Sequence, residues 1–221
     1  MVTVVTYVIM VTVSTSRPTY HHGDLRAALL ATVDEVLSEH GADGLSLREV
    51  SRRAGVSHAA AYKHFADKSE LLGVYADAAF RAFEQLLEAA RKKARSPREA
   101  LIAIGVAYVR FARKRPAAFR LMFRPEFTEA RLGDPKTAVH RTHDVLAQTV
   151  VAARAAGALK PGPLEIQVLA AWSMVHGLAT IILDGPDSNL VANAAAADAL
   201  TRSVIETMLR DTPSPNTRAV L

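Results

Sequence analysis

Three groups of residues in this sequence could do chemistry, and each has a plainer structural reading beside it. The first is a basic stretch from Arg48 to Lys68, where five Lys or Arg stand against Glu49 and Asp67, with His58 and His64 among them. Cations and N–H donors suit phosphate oxygens, and small side chains let a helix come close to base edges. Ser57, His58, Ala59 and Ala60 are small or polar, and Tyr62, Lys63 and His64 follow at once. A solvated charged face is the plainer reading. The second group is aromatic and Met-rich: Tyr108, Phe111, Phe119, Met122, Phe123, Phe127, Trp172 and Met174, with His143 and His176. Apolar walls with a few polar groups describe a small-molecule site, and they describe a core equally well. The third is His140, His143 and Asp144, together with the adjacent pair His21–His22. Adjacent residues point apart and no further ligands accompany either set, so packed or solvated histidines are expected rather than a metal site. No cofactor is expected.

The elements that must position the first group have clear local signals. Ser46 can cap a short helix, with Glu49 at the capping-box position. Leu47, Val50 and Ala54 then give that helix a buried stripe. Gly55 follows where a tight turn needs positive φ. Val56 anchors the turn, and Ser57 caps a second short helix from His58 to about Phe65. Asp67 caps a third, with Glu70 again three residues on. Two short helices joined through Gly form a helix-turn-helix, whose second member enters the DNA major groove. The expected DNA contacts are Ser46, Arg48, Ser57, His58, Ala59, Ala60, Tyr62, Lys63, His64 and Lys68. A preceding helix from Asp24 to about His40, with Leu25, Leu29, Thr32, Val33, Val36 and Leu37 on one face, buttresses the pair.

The run Gly55-Val-Ser…Tyr62-Lys-His-Phe65…Lys68…Leu71 resembles the DNA-binding domain of the tetracycline-repressor (TetR) family. Tyr20–Leu30 is similar to that family's first helix and its lead-in. Trp172-Ser-Met-Val-His176-Gly177 resembles a Trp-His-Gly element in the ligand domain of one TetR subgroup. The resemblance implies an all-α, nine-helix protein that acts as a ligand-responsive repressor. In such proteins an effector enters a helical pocket, the connecting helix tilts, and two heads leave successive grooves of a double-stranded operator. Ala61 and Lys63 depart from the commoner family pattern, and with Ala59 and Ala60 they make direct hydrogen-bond readout thin. Thymine methyls and DNA shape are then expected to carry much of the specificity.

Beyond the head, the pattern gives a connecting helix over residues 67–95, whose buried face carries Leu71, Leu72, Tyr75, Ala79, Phe83 and Leu86–Leu87. Its basic end, Arg91 to Arg95, suits the helix dipole better than it suits DNA. Ser96-Pro97-Arg98-Glu99 is a strong helix start. That helix carries Leu101, Ile104, Tyr108 and Phe111. A short helix from Ala117 to Phe123, a loop from Arg124 to Pro135 and helices over 136–156, 164–183 and 189–210 follow. Residues 1–16 read as an apolar extension outside the folded unit, 17–66 as the head, 96–211 as an effector-binding and dimerisation domain, and 212–221 as a tail. The helix from Leu164 to Leu183 is apolar nearly all round, more than one small domain can hide. A homodimer through the last two long helices answers that, and it gives two heads about 34–36 Å apart for a palindrome. Tyr108, Phe111, Phe119, Met122, Phe123, His143, Trp172 and His176 are the expected effector contacts.

Composition narrows the alternatives. The 221 residues are 50% hydrophobic, carry a formal charge of +5 and include no Cys. Thiol nucleophiles, disulfides and zinc–thiolate sites are excluded. An enzyme would have to use His140, His143, Asp144 and His176, and there is no phosphate loop, nucleophile elbow or HExxH to support one. A non-specific architectural DNA binder and an activator remain as alternatives to a repressor. A cytoplasmic protein with no membrane span is expected, because the apolar 164–183 helix carries Glu165, Gln167 and His176.

Overall fold

The computed structural model describes residues 22–127, 136–185 and 190–211, with side chains from Leu25 onward. The apolar extension, His21, residues 128–135 of the expected loop, Asn189 and the tail lie outside the described residues. Nine helices lie wholly among the described residues, besides the helical residues 125–127: α1 (His22–Gly44), α2 (Leu47–Arg53), α3 (His58–Tyr62), α4 (Lys68–Lys93), α5 (Pro97–Lys114), α6 (Pro116–Met122), α7 (Ala138–Ala155), α8 (Leu164–Asp184) and α9 (Ala194–Glu206). Among those residues there is no strand, and the fold is all-α.

Helix starts follow the caps. Ser46 accepts from the Glu49 amide, Ser57 from Ala60, Asp67 from Glu70 and Ser96 from Glu99. Each such cap is worth about 1 kcal/mol. The capping-box carboxylates behave differently from one another. Glu70 and Glu99 reach back one residue past the cap, to the amides of Ala66 and Arg95. Glu49 turns instead to Arg52 and Arg53. Gly41, at φ 66°, kinks the end of α1. Gly55, at φ 68°, makes the turn between α2 and α3.

Several expectations are corrected. Helix α3 ends at Tyr62 rather than near Phe65, because Lys63 and His64 bond back three residues to Ala60 and Ala61. Residues 125–127 are helical where a loop was expected; Pro125 stands at their start, where its missing N–H costs nothing. Leu86 is exposed and Phe80 is buried, so the inner face of α4 runs through Ala76, Phe80, Phe83 and Leu87. Helix α9 starts at Ala194, capped by Asn193, and ends at Glu206. Beyond it, Leu209 pairs with Leu159 in an isolated antiparallel bridge. The amides of Lys160 and Arg210 donate to the carbonyls of Met208 and Ala158.

Helices α1, α2 and α3 pack around Leu29, Val33, Leu45, Val50, Ala61 and Phe65. Helix α4 leaves this group and packs along α5 and α7, while α5 lies against α8 and α9. Gly105 lets α9 approach: a Cβ there would sit 2.2 Å from Ile205 Cδ1. The buried side chains form one continuous cluster from Leu25 to Leu209.

Candidate DNA-reading surface and interior cavity

The candidate reading surface is built on α3. Ala61 and Phe65 point into the core, which leaves His58, Ala59, Tyr62 and Lys63 outward. Ala60 and His64 are half-buried at its flanks. Tyr62, 49% exposed, is held by an edge-on contact with His58 at 4.7 Å. Ser46 and Arg48 are exposed on α2, beside the reading helix. Ser46 and Ser57 already accept a backbone amide each as caps. Lys68 is half-buried, and its Nζ donates to the Asp43 carbonyl at 3.1 Å, fastening α4 to the end of α1.

Arg52 is exposed beside this set and Arg53 is half-buried, and both are paired within the head. Both bond Glu49 at 2.7 Å, and Arg53 also reaches Glu39. Arg52 first, and Arg53 with it, hold the Glu49 carboxyl down at about 2. Arg26, which the sequence pattern did not single out, lies over the Phe65 ring at 5.5 Å and is exposed beside it.

Between α4, α5, α7, α8 and α9 lies a cavity of about 650 Å³, within the size range of small-molecule sites. Its wall includes Tyr108, Phe123, His143, Trp172 and His176 from the expected set. Phe111, Phe119 and Met122 are not on it. Phe111 and Phe119 are buried against the rings of Phe83 and Tyr108 respectively, and Met122 is fully buried in the core. The sequence reading missed Phe80, Phe83 and Leu87 of α4, and Leu146 and Val168 across from them. Phe83 is the hub, with ring centroids of Phe111 at 4.7 Å and Tyr108 at 4.9 Å.

One polar pair sits in this apolar wall. The Tyr108 hydroxyl and His176 Nδ1 are 2.8 Å apart. Burial pushes the Tyr108 hydroxyl up, against the hydrogen bond from Trp172, and burial also pushes His176 below the usual histidine value. Trp172 and His176, one turn apart on α8, have ring centroids at 5.7 Å. His140 faces Asp144 at 3.4 Å. No group of three or more His, Cys, Asp or Glu gathers to hold a metal among the described residues.

A second cluster joins the head to the cavity-bearing helices. The Tyr75 hydroxyl of α4 donates to Asp34 of α1. The Arg115 guanidinium, between α5 and α6, donates to Asp34 at 3.1 Å and to the Tyr75 oxygen at 3.3 Å. Burial and then the Asp34 bond push the Tyr75 hydroxyl up, so it stays a donor.

A helix-turn-helix continued by one long helix into a bundle around an interior cavity is the arrangement of a DNA-binding regulator. Residues 29–74 match the bacterial regulatory proteins of the tetR family, and residues 101–208 match the tetracyclin repressor-like C-terminal domain. A protein of unknown function from Rhodococcus sp. RHA1 is 32% identical, with a TM-score of 0.69, over 88% of this chain and 100% of that one. A bacterial regulatory protein of the tetR family from Rhodococcus RHA1 has a TM-score of 0.69 at 20% identity, over 84% of this chain and 96% of its own. A TetR family transcriptional regulator from Thermus thermophilus has a TM-score of 0.64 at 21% identity, over 83% of this chain and 99% of its own. The chain belongs to the TetR family; it is a DNA-binding transcriptional regulator and not an enzyme.

Proposed function

We propose that the chain is a cytoplasmic, homodimeric repressor, released from a palindromic operator when a small, largely apolar effector fills the cavity. The observation that carries this reading is the course of α4. Lys68 at its start is fastened to the head through Asp43, and Phe80, Phe83 and Leu87 further along are cavity wall. The rise from Lys68 to Phe83 is about 22 Å. A molecule that reseats Phe80 and Phe83 therefore moves the base of the head. Repression and release are a population shift, in which the effector binds the DNA-incompetent arrangement more tightly.

The units are the head over residues 17–66, the connector over 67–95 and the ligand and dimer domain over 96–211. Arg48, Ser57, His58, Ala59, Ala60, Tyr62 and Lys63 are the contact set at the operator, with Ser46, His64 and Lys68 supporting the backbone around them. The dimer reading rests on α8, which among the described residues is the one helix long and apolar enough to cross a membrane. Ile166 and Ile181 on it are 58% and 53% exposed. A second copy of α8 and α9 covers that face, and Gly177, with nothing near its Cβ position, admits the close approach. Ala171 and Ala179 are buried within the chain and serve its own core.

A gel-shift titration on the chain's own upstream DNA, with scrambled competitor at near-physiological salt, tests this. A competitor-resistant complex of two protomers on a palindrome is the expected result. Equal competition by any DNA would replace it with the architectural reading, which the paired Ala59 and Ala60 at the reading front would favour.

A further inference from the structure

If the cavity holds the effector, as the reading above has it, the wall also specifies that molecule's chemistry. Among the described residues no Lys or Arg lines the cavity, and Glu165 is the one carboxylate on its wall. Glu165, His143, Leu169 and Trp172 are wall residues that are also solvent-exposed, so they mark a rim between α7 and α8. Glu165 stands in the first turn of α8, where it offsets the attraction that peptide N–H groups hold for an anion.

Deeper in, the polar groups are few. Thr142 donates its hydroxyl hydrogen to the Ala138 carbonyl at 2.7 Å. That leaves Tyr108 and His176. A neutral tyrosine and a neutral imidazole carry one O–H and one N–H between them. Their mutual bond uses one of these hydrogens. The other remains a donor on a residue of the wall, whichever tautomer the ring adopts. A ligand oxygen can accept it. A ligand carboxylate would meet one neutral donor and no counter-charge, and burying an unpaired charge is costly. The wall follows α8 from Leu164 to His176, a rise of about 18 Å.

We infer that the cavity takes an elongated, uncharged molecule with one hydroxyl or carbonyl oxygen seated on the Tyr108–His176 pair, and turns away the carboxylate of the same chain length. Trp172 is the only tryptophan in the sequence and part of the wall, so its emission reports occupancy. The whole chain, without DNA, is titrated near neutral pH with decanol and with decanoate, each below its self-association limit. Melting temperature is followed in parallel. Decanol is expected to bind at least about tenfold more tightly than decanoate. Combining Tyr108→Phe with His176→Leu removes the donor and weakens decanol about threefold to tenfold. Decanoate binding as tightly as decanol overturns the inference, and so does neither probe moving emission or melting. Should the double variant melt early, the ratio in the unaltered protein decides alone. Because no DNA is present, a chain that binds decanol but is not released from its operator by it keeps this inference and loses the induction reading. Release by decanoate but not decanol does the reverse.

Discussion

In the head, Phe65 is 1% exposed and faces a filled core, while His58, Ala59 and Tyr62 face water. In the other half, Phe80 and Phe83 are as deeply buried yet border a space of about 650 Å³. The head places its chemistry outside a solid centre; the larger half places it inside a hollow one. The difference lies in what fixes each surface. The outward residues of α3 are aimed by one cap, one glycine turn and two buried anchors, all within a short stretch of chain. The wall is aimed by five helices that meet only in the finished fold.

Four measurements break or sharpen that contrast, from the largest expected effect to the smallest. Phe83→Ala removes the ring on which Tyr108 and Phe111 pack, and should cost about 3–5 kcal/mol in urea unfolding. A loss under about 1 kcal/mol would mean that the hollow collapses freely and the wall is not a rigid surface. Gly55→Val forces a β-branched residue to positive φ, a strain of about 1–3 kcal/mol at the turn that aims α3. Operator affinity in a gel shift should fall by a hundredfold or so, about 2.7 kcal/mol, with Trp172 emission unchanged. A matching change in that emission would show that the two halves do not keep separate geometries.

Asp34→Asn weakens the three-way contact with Tyr75 and Arg115, and should cost about 1–2 kcal/mol of stability. It should also lower the ligand concentration needed to free the operator, if that contact holds the DNA-competent arrangement. An unchanged midpoint in a release titration would remove the cluster from the route between the halves. The smallest effect concerns His176, whose folded pKa is lowered by burial. Above the ordinary histidine value, about 6.5, both folded and unfolded chains hold it neutral. Below that, the unfolded chain takes up a proton that the folded one resists, so stability drops until the folded pKa is passed. Melting temperature between neutral pH and about pH 5 should therefore fall less steeply for His176→Gln than for the unaltered protein. Parallel slopes would mean that the ring is as free to protonate inside as outside.

Much of the head was legible in the sequence, because its signals are local. Ser46, Ser57 and Asp67 cap the helices they were expected to cap, and Gly55 turns where a positive φ was needed. The cavity was legible only in outline. Tyr108, Trp172 and His176 stood out by residue type, but Phe111, Phe119 and Met122 are of the same types and pack elsewhere. Phe111 stands about one turn past Tyr108 on α5 and touches Phe83, yet lies off the wall, and periodicity within a single helix does not tell where along it the hollow ends. The start of α9 was misplaced for a related reason. Asn189 and Asn193 are both fair caps, and the alanine run after Asn193 decides between them.

The Leu159–Leu209 bridge has a topological consequence. By bonding Lys160 to Met208 and Ala158 to Arg210, it closes α8 and α9 into a ring of chain with both ends at one point. Lys160 Nζ on Thr207 and Arg98 on the Arg210 carbonyl tie that point down further. The entropy of joining those ends is spent once, at folding, and it grows only slowly with the length enclosed. The connection between α8 and α9 can thus lengthen or shorten with little thermodynamic effect while the clasp holds. Severing the clasp instead frees the whole ring, and the amides of Lys160 and Arg210 are then expected to lose their hydrogen-bond partners together.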